Sequence, residues 1–228
     1  MTFRSIAIDG PSGAGKSTLA KMAAAHYGFV YLDTGAMYRC IGLAALRAGV
    51  PSKDEEAVKA LLPGLSIAIE RAEDGAQRMI LNGEDVSGDI RLPEVSLYAS
   101  DVSAMKPVRD FLLDKQREFA RVSNVVMDGR DIGTVVLPDA DVKIYLTARA
   151  EVRARRRYDE LVAKGSDVTF EKVLEELILR DQNDMTRAEA PLRRADDALL
   201  ADTSDLDLEQ SFALIRRLID EGLDRHEA

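Results

Sequence analysis

Residues 6–18 constrain this chain more than any other stretch. The apolar run Ile6-Ala7-Ile8 ends in Asp9, and Gly10-Pro11-Ser12-Gly13-Ala14-Gly15-Lys16-Ser17-Thr18 follows. The spacing fits G-x-x-x-x-G-K-[ST] between a strand and a helix, which describes a phosphate-binding loop. Glycines let the backbone wrap an anion closely, because a Cβ at those turns would clash or forbid the dihedrals. The loop's N–H groups and the positive end of the next helix then face negative charge. Lys16 has the reach to meet β- and γ-phosphates as a point charge, and the Ser17 hydroxyl suits a magnesium ion. A glycine-rich turn that merely carries a lysine accounts poorly for four fixed positions in this setting. The stretch implies a nucleoside triphosphate site.

Charge narrows what else is plausible. The 228 residues carry a formal net charge of -9, which disfavours a general nucleic-acid or membrane-surface binder, since both need the opposite sign. Apolar residues at 46% and charged ones at 31% are those of an ordinary globular chain, long enough for one domain or one domain with an insert. A lone cysteine, Cys40, excludes an internal disulfide and a cysteine-based metal cluster, and fits a reducing compartment. The two histidines, His26 near a helix end and His226 in a terminal tail, make histidine acid–base chemistry unattractive. With no signal peptide and no apolar run of membrane-spanning length, a cytoplasmic protein is expected.

Along the chain, the pattern predicts a helix over about 16–26, a buried strand at 29–32, a turn at Asp33-Thr34-Gly35 and a helix over about 36–46. Alternation of this kind implies a parallel sheet with helices on both faces. Residues 65–69 and 77–81 then alternate in hydropathy, with Asp74-Gly75 between them and Asn82-Gly83 after. These are hairpin signals, and they predict a small antiparallel insert over 63–91. Helices over about 93–104 and 107–121 lead back to core strands at 124–127, 142–146 and 198–201. A final helix over about 206–221 is capped by Ser204 or Asp205. The domains expected are a core of residues 1–62 and 92–228, with a lid at about 150–172, and the insert at 63–91.

In doubly wound sheets ligands bind beyond the carboxyl ends of the strands. Asp33-Thr34 and the Asp128-Gly129-Arg130-Asp131 run follow the second and third strands, so both are expected beside the loop. Asp128 suits a magnesium-water partner, although a loop-capping role fits either aspartate as well. The most basic part of the chain holds Arg149, Arg153, Arg155, Arg156, Arg157, Arg180 and Arg187. For most of these a solvated helix face is the simplest explanation. Arg153 and Arg157, four apart, share one helix face. Val173, Leu177, Arg180, Asp184 and Arg187 follow a single helical stripe whose apolar half packs inward. Inward guanidiniums need anionic partners, and phosphates serve. Transfer of a phosphoryl group between two phosphorylated molecules would use such an array.

At this point the motifs resemble a known family. Residues 8–16, 32–39 (Leu-Asp-Thr-Gly-Ala-Met-Tyr-Arg), 85–91 (Asp-Val-Ser-Gly-Asp-Ile-Arg), 128–136 (Asp-Gly-Arg-Asp-Ile-Gly-Thr-Val-Val) and the run from Arg180 to Ala188 are similar to bacterial cytidylate kinases. The resemblance implies an α/β P-loop fold of three layers, with a five-stranded parallel sheet, a small antiparallel insert and a short lid. It also implies transfer of the γ-phosphoryl group of ATP to CMP or dCMP with Mg2+; separately, a monomer is expected. Gly10, Pro11, Ser12, Gly13, Ala14, Gly15, Lys16, Ser17 and Thr18 would hold ATP, with Ser17 on the metal. Arg39, Arg130 and Arg187 would hold the CMP phosphate, and Ser100, Arg109 and Asp131 would read cytosine. Arg180 and Asp184 would contact the sugar, Thr34 and Tyr38 would line the pocket, and the lid arginines Arg153 and Arg157 would clamp the phosphoryl group. Lys16, Arg130, Arg153, Arg157 and Arg187 form the catalytic set. Rival readings are a kinase for UMP or a phosphate-free metabolite, and a P-loop switch, against which stands the lack of an Asn-Lys-x-Asp motif.

Overall fold

The structure is a computed structural model that describes residues 3–71 and 77–227. The chain divides into two compact units, Met1–Leu32 with Phe119–Ala228, and Asp33–Glu118. Within the first, β1 (Ser5–Asp9) leads through the glycine loop into α1 (Lys16–Tyr27), which Gly28 ends in a left-handed cap. The strands β2 (Val30–Asp33), β6 (Val125–Gly129), β7 (Val142–Thr147) and β8 (Leu199–Asp202) complete a sheet ordered β2-β6-β1-β7-β8. The β1–β6, β1–β7 and β7–β8 pairs run parallel, with Ile8 opposite Asp128 on one side and Ile144 on the other.

Strands in such a sheet are apolar on both faces, and those of β1 and β6 are. Ile6, Ile8 and Val126 pack with Leu19, Ala23 and Ala24 of α1 and with Ile215 and Ile219 of α8 (Leu208–Glu227). The alternate residues Ala7, Val125 and Met127 are equally buried. Strand β6 extends through Asp128, so this carboxylate sits on a strand rather than in a loop. After β7, α6 (Ala150–Ala163) and α7 (Phe170–Thr186) pack through Ala154, Val173 and Leu177.

Three boundaries depart from the sequence reading. The expected turn at Asp33-Thr34-Gly35 is absent, because α2 (Thr34–Arg47) starts directly after β2 and Asp33 caps it by accepting from Ala36 N–H at 2.9 Å. The final helix is capped by Asp207, not Ser204 or Asp205. Asp207 accepts from Gln210 N–H at 2.8 Å while the Gln210 side chain accepts from Asp207 N–H, a reciprocal box. Ser204 and Asp205 are instead engaged with Arg149. The helix also runs past residue 221, so the backbone of His226 is helical rather than in a tail.

The second unit holds α2, α3 (Glu55–Leu61), the antiparallel strands β3 (Ile67–Arg71), β4 (Gln77–Leu81) and β5 (Glu84–Asp85), α4 (Pro93–Val102), and α5 (Lys106–Val122) as far as Glu118. Asn82 and Gly83 join β4 to β5 with φ of 52° and 86°, the left-handed pair expected of a tight hairpin turn. The Asp74-Gly75 turn lies outside the described residues. Met79, Leu81, Val86 and Ile90 join Met37, Ile41, Val95 and Leu112 in one core. Helices α2 and α4 approach so closely that a Cβ on Gly42 would lie 2.9 Å from Ala99 N. The short helix α3 was missing from the sequence reading, although Asp54 caps it through Ala57 N–H at 3.0 Å.

Candidate active site

The loop leaves β1 at Gly10, where a Cβ would fall 1.9 Å from the Leu146 carbonyl oxygen, so only glycine lets β1 lie this close to β7. Lys16, in the first turn of α1, is buried and its Nζ donates to Pro11 C=O at 2.8 Å. Burial, then the nearby Arg130 charge, brings its pKa down to about 7, with Asp128 and Asp184 pulling the other way. A polyanion would restore full charge to this ammonium. Beside it, Ser17 Oγ donates to Asp128 Oδ2 at 2.8 Å and Tyr31 Oη donates to Asp128 Oδ1 at 2.8 Å. A buried carboxylate with two hydroxyls is an all-oxygen arrangement at the loop's edge.

Around the end of β6 lie the arginines of the same unit. Arg130 Nε donates to Asp184 Oδ2 at 2.7 Å. Burial works against both charges, but each offsets it for the other. Arg130 is held above its ordinary pKa by Asp184, and Asp184 is held below the usual carboxylate range by Arg130, Arg180 and Arg187. Arg187 is not on the helical stripe, since α7 stops at Thr186 and Arg187 is its C-cap in extended backbone. From there Nε and Nη2 donate to Ala190 C=O at 2.8 and 2.6 Å, and Nη2 lies 3.3 Å from Asp131 Oδ1. Ala190 itself adopts φ of 46°, uncommon for a residue with a Cβ, and aims its carbonyl at that guanidinium.

Arg153 and Arg157 have different surroundings despite sharing a helix. Arg153 is buried; Nη1 donates to Ser12 C=O at 2.7 Å and lies 2.7 Å from Asp181 Oδ2. Arg157 is exposed and pairs with Glu160 at 2.8 Å.

In the second unit, Thr34 is buried at the start of α2, and one turn on Tyr38 lies under the Arg109 guanidinium, 5.7 Å from ring centre to Cζ. Arg109 also donates to Ser103 C=O at 3.2 Å. Arg39 Nη1 donates to Ile90 C=O at 3.1 Å and to Ser96 Oγ. Ser100 is half-buried on α4, its carbonyl accepting from Ser103 Oγ at 2.8 Å.

A glycine loop of this kind beside arginines paired with buried aspartates fits a phosphotransferase, and comparison with known proteins gives the family. The family model described as cytidylate kinase matches residues 6–221. This chain belongs to the cytidylate kinase family. A cytidylate kinase of Caldicellulosiruptor bescii is 51% identical over 213 residues, covering 93% of this chain and 94% of the relative. Those of Carboxydothermus hydrogenoformans and Geobacter sp. (strain M21) are 49% and 48% identical, covering 94% and 96% of this chain and 96% and 93% of their own. A crystal structure of an uncharacterized protein from Eubacterium ventriosum aligns over 95% of this chain and 98% of its own, with a TM-score of 0.53 and 14% identity, a likeness of fold alone.

For this cytidylate kinase family member, sequence reasoning missed three groups that the fold brings to the loop. Asp9, buried at the end of β1, accepts from Ile132 N–H at 2.8 Å and Gly133 N–H at 2.7 Å, and so fixes the turn that follows Asp131. Burial, against those two donors, pushes its carboxyl up to about 6. Tyr31 holds Asp128, and Asp181 holds both Ser12 and Arg153. Asp9 could have been suspected, since a carboxylate that ends a buried strand needs donors. Tyr31 and Asp181 carry no local signal, because their partners are remote in sequence.

Proposed function

We propose that this chain transfers the γ-phosphoryl group of ATP to CMP or dCMP, giving ADP and CDP or dCDP. The observation that carries the reading is the pairing of Arg130 with Asp184 and of Arg187 with Asp131 next to the Lys16 loop. Two arginines neutralised by carboxylates, in surroundings from which water is largely removed, are prepared to take a phosphate in exchange. Lys16 and the loop amides hold the donor's β- and γ-phosphates. Arg130 and Arg187 hold the acceptor phosphate, and the family resemblance assigns Arg39 to it as well. Its oxygen is already ionised near neutral pH, so no general base is needed. Charge that spreads over the transferring group is then met by cations already in position. Of the two lid arginines expected to clamp the phosphoryl group, exposed Arg157 is assigned to it, whereas Arg153 is buried on Ser12 C=O and Asp181 and is not.

Asp131, with Ser100 and Arg109, is assigned to the base. A carboxylate accepts from the N4 amino group of cytosine, whereas uracil presents an oxygen there and leaves both groups unpaired and repelling. Arg180 and Asp184 are assigned to the sugar, Thr34 and Tyr38 to the pocket wall, and the insert over 63–91 to the acceptor side. Mg2+ fits the residues present: Ser17 and Asp128 offer one hydroxyl and one carboxylate, and magnesium is commonly bound by one or two such oxygens with waters and substrate phosphates. When bound it would supply charge neutralisation on the donor phosphates.

No helix among the described residues is long and apolar enough to cross a membrane. The net charge of -9 supports small nucleotides rather than nucleic acid as the partners, and a cytoplasmic monomer is kept as the expectation. A coupled ADP-release assay across nucleoside monophosphates tests the reading, with the highest kcat/KM expected for CMP and dCMP. Preference for UMP, or ADP release that CMP does not stimulate, would overturn it.

A further inference from the structure

The backbone of Ser12 is gripped from both sides. Its N–H donates to Asp181 Oδ1 at 3.1 Å, and its C=O accepts from Arg153 Nη1 at 2.7 Å. The two side chains also meet each other, Arg153 Nη1 to Asp181 Oδ2 at 2.7 Å, and Arg153 Nε donates to Ala148 C=O at 2.8 Å. Ser12, Arg153 and Asp181 are 9%, 5% and 8% exposed, so these bonds form out of water and compete little with it. The loop touches the same helices one residue later: a Cβ on Gly13 would lie 3.5 Å from both Arg153 Cβ and Leu177 Cδ2. Helices α6 and α7 therefore set the position of the loop's middle.

We propose that Arg153 and Asp181 are positioning residues of the donor site, which hold the Ser12 peptide with its N–H turned away from the phosphates. The cradle is then built from the amides that follow, and its shape depends on a closed ring of peptide, guanidinium and carboxylate. Lysine cannot replace Arg153, because one ammonium lacks the fork that meets Ala148, Ser12 and Asp181 together. Charge matters as much as shape. Arg153 neutralises Asp181, and without it an uncompensated carboxylate would stand behind a loop that must receive a polyanion. Removing both groups should therefore harm donor binding less than removing the arginine alone, a non-additive pattern that mere loosening of the fold does not produce.

This inference rests on the loop being the ATP site, so the test separates donor from acceptor. Titration calorimetry of ADP and, separately, of CMP is run on wild type, Arg153→Met, Asp181→Asn and the double variant. Arg153→Met is expected to weaken ADP binding at least about tenfold while CMP binding stays within about twofold. The double variant should regain part of that loss, and in steady-state assays the KM for ATP should rise by more than kcat falls. ADP binding within twofold of wild type in Arg153→Met, or equal losses for ADP and CMP, overturns the proposal. If Arg153→Met does not fold, Asp181→Asn decides: weaker ADP binding with unchanged CMP binding supports the ring, and unchanged ADP binding overturns it. A wild type that binds ADP but not CMP would overturn the acceptor reading instead, and leave the ring to be judged by ADP alone.

Discussion

Ser17 Oγ lies 2.8 Å from Asp128 Oδ2, which ties the first turn of α1 to the end of β6. A hydroxyl that donates to a carboxylate keeps its lone pairs directed elsewhere, and a metal held by those lone pairs would have Asp128 close by. Tyr31 fixes the other carboxylate oxygen at 2.8 Å, so Asp128 has little freedom to turn. Ser17→Ala removes the lone pairs and leaves the backbone. The expected result is a loss of roughly 10²-fold in kcat, the scale for removing one preorganised group from a charged transition state, and a need for more free Mg2+. Magnesium titration of the initial rate checks this, and an unchanged requirement would take Ser17 off the metal.

Lys16 connects catalysis to stability in opposite senses. Its ordinary pKa of 10.5 falls to about 7 through burial and then Arg130. Between these values the unfolded chain binds more protons than the native one, so this group's contribution to stability rises with pH across that window. Below pH 7 the full cost of a buried cation is present. Lys16→Met should remove that cost, raising Tm at pH 7 by roughly 2–4 °C per kcal/mol regained, and flatten the rise toward pH 10. Turnover should fall by at least about 10²-fold. Thermal melts at pH 7 and 9 with a single-turnover assay test both halves. Near-normal kcat would remove Lys16 from its assigned role.

The raised pKa of the Asp9 carboxyl predicts that CMP binding at the proposed acceptor site is sensitive to acid. Burial raises its pKa from 3.8 to about 6, with the Ile132 and Gly133 amides opposing. The native state therefore binds more protons than the unfolded chain between pH 3.8 and about 6, and this group's contribution to stability falls as pH rises through that range. Function runs the other way. Protonation turns one of its two acceptor oxygens into a hydroxyl, and either Ile132 N–H at 2.8 Å or Gly133 N–H at 2.7 Å loses its partner. The KM for CMP should climb as pH drops below about 6 in wild type. A phosphate's own second pKa is also about 6, so the Asp9→Asn profile serves as reference: it should start higher and climb less. Parallel profiles would show that Asp9 does not govern the Asp131 turn.

Local chemistry determined how much could be read from the chain alone. The loop at residues 10–18 and the five strands of a parallel sheet were legible because glycine spacing and apolar runs are short-range signals, and Asn82-Gly83 worked for the same reason. The order β2-β6-β1-β7-β8 was not legible, since which strands pair is set by remote contacts. The cap at Asp207 was written in the sequence as Asp-x-x-Gln, but two nearer polar residues competed for it. Spacing puts Arg187 on a helical stripe because it cannot say where a helix stops; Pro191, four residues on, is the available hint. Arg153 and Arg157 looked equivalent at four-residue spacing, and only the packing of Ala154 against Val173 and Leu177 separates them. The partners Asp9–Gly133, Tyr31–Asp128 and Ser12–Asp181 lie about 100 residues or more apart, beyond any periodic pattern.

Asp131 offers the sharpest separation between substrates. It is buried, and Arg187 Nη2 lies 3.3 Å from Oδ1, so its charge is balanced before any base arrives. A cytosine amino group would donate to this carboxylate, whereas uracil would set an oxygen against it. Asp131→Ala therefore removes an attraction from CMP and a repulsion from UMP. The expected outcome is a fall of roughly 10- to 200-fold in kcat/KM for CMP, the scale of about 1–3 kcal/mol for one polar contact to a base edge, with UMP unchanged or improved. Because Arg187 loses its carboxylate partner too, Arg187→Met is measured alongside. It should lower kcat/KM for both nucleotides alike, since both carry the phosphate that Arg187 is assigned to hold. Equal losses for CMP and UMP in Asp131→Ala would mean that the residue acts only by steadying Arg187, and base reading would then have to be sought at Ser100 and Arg109.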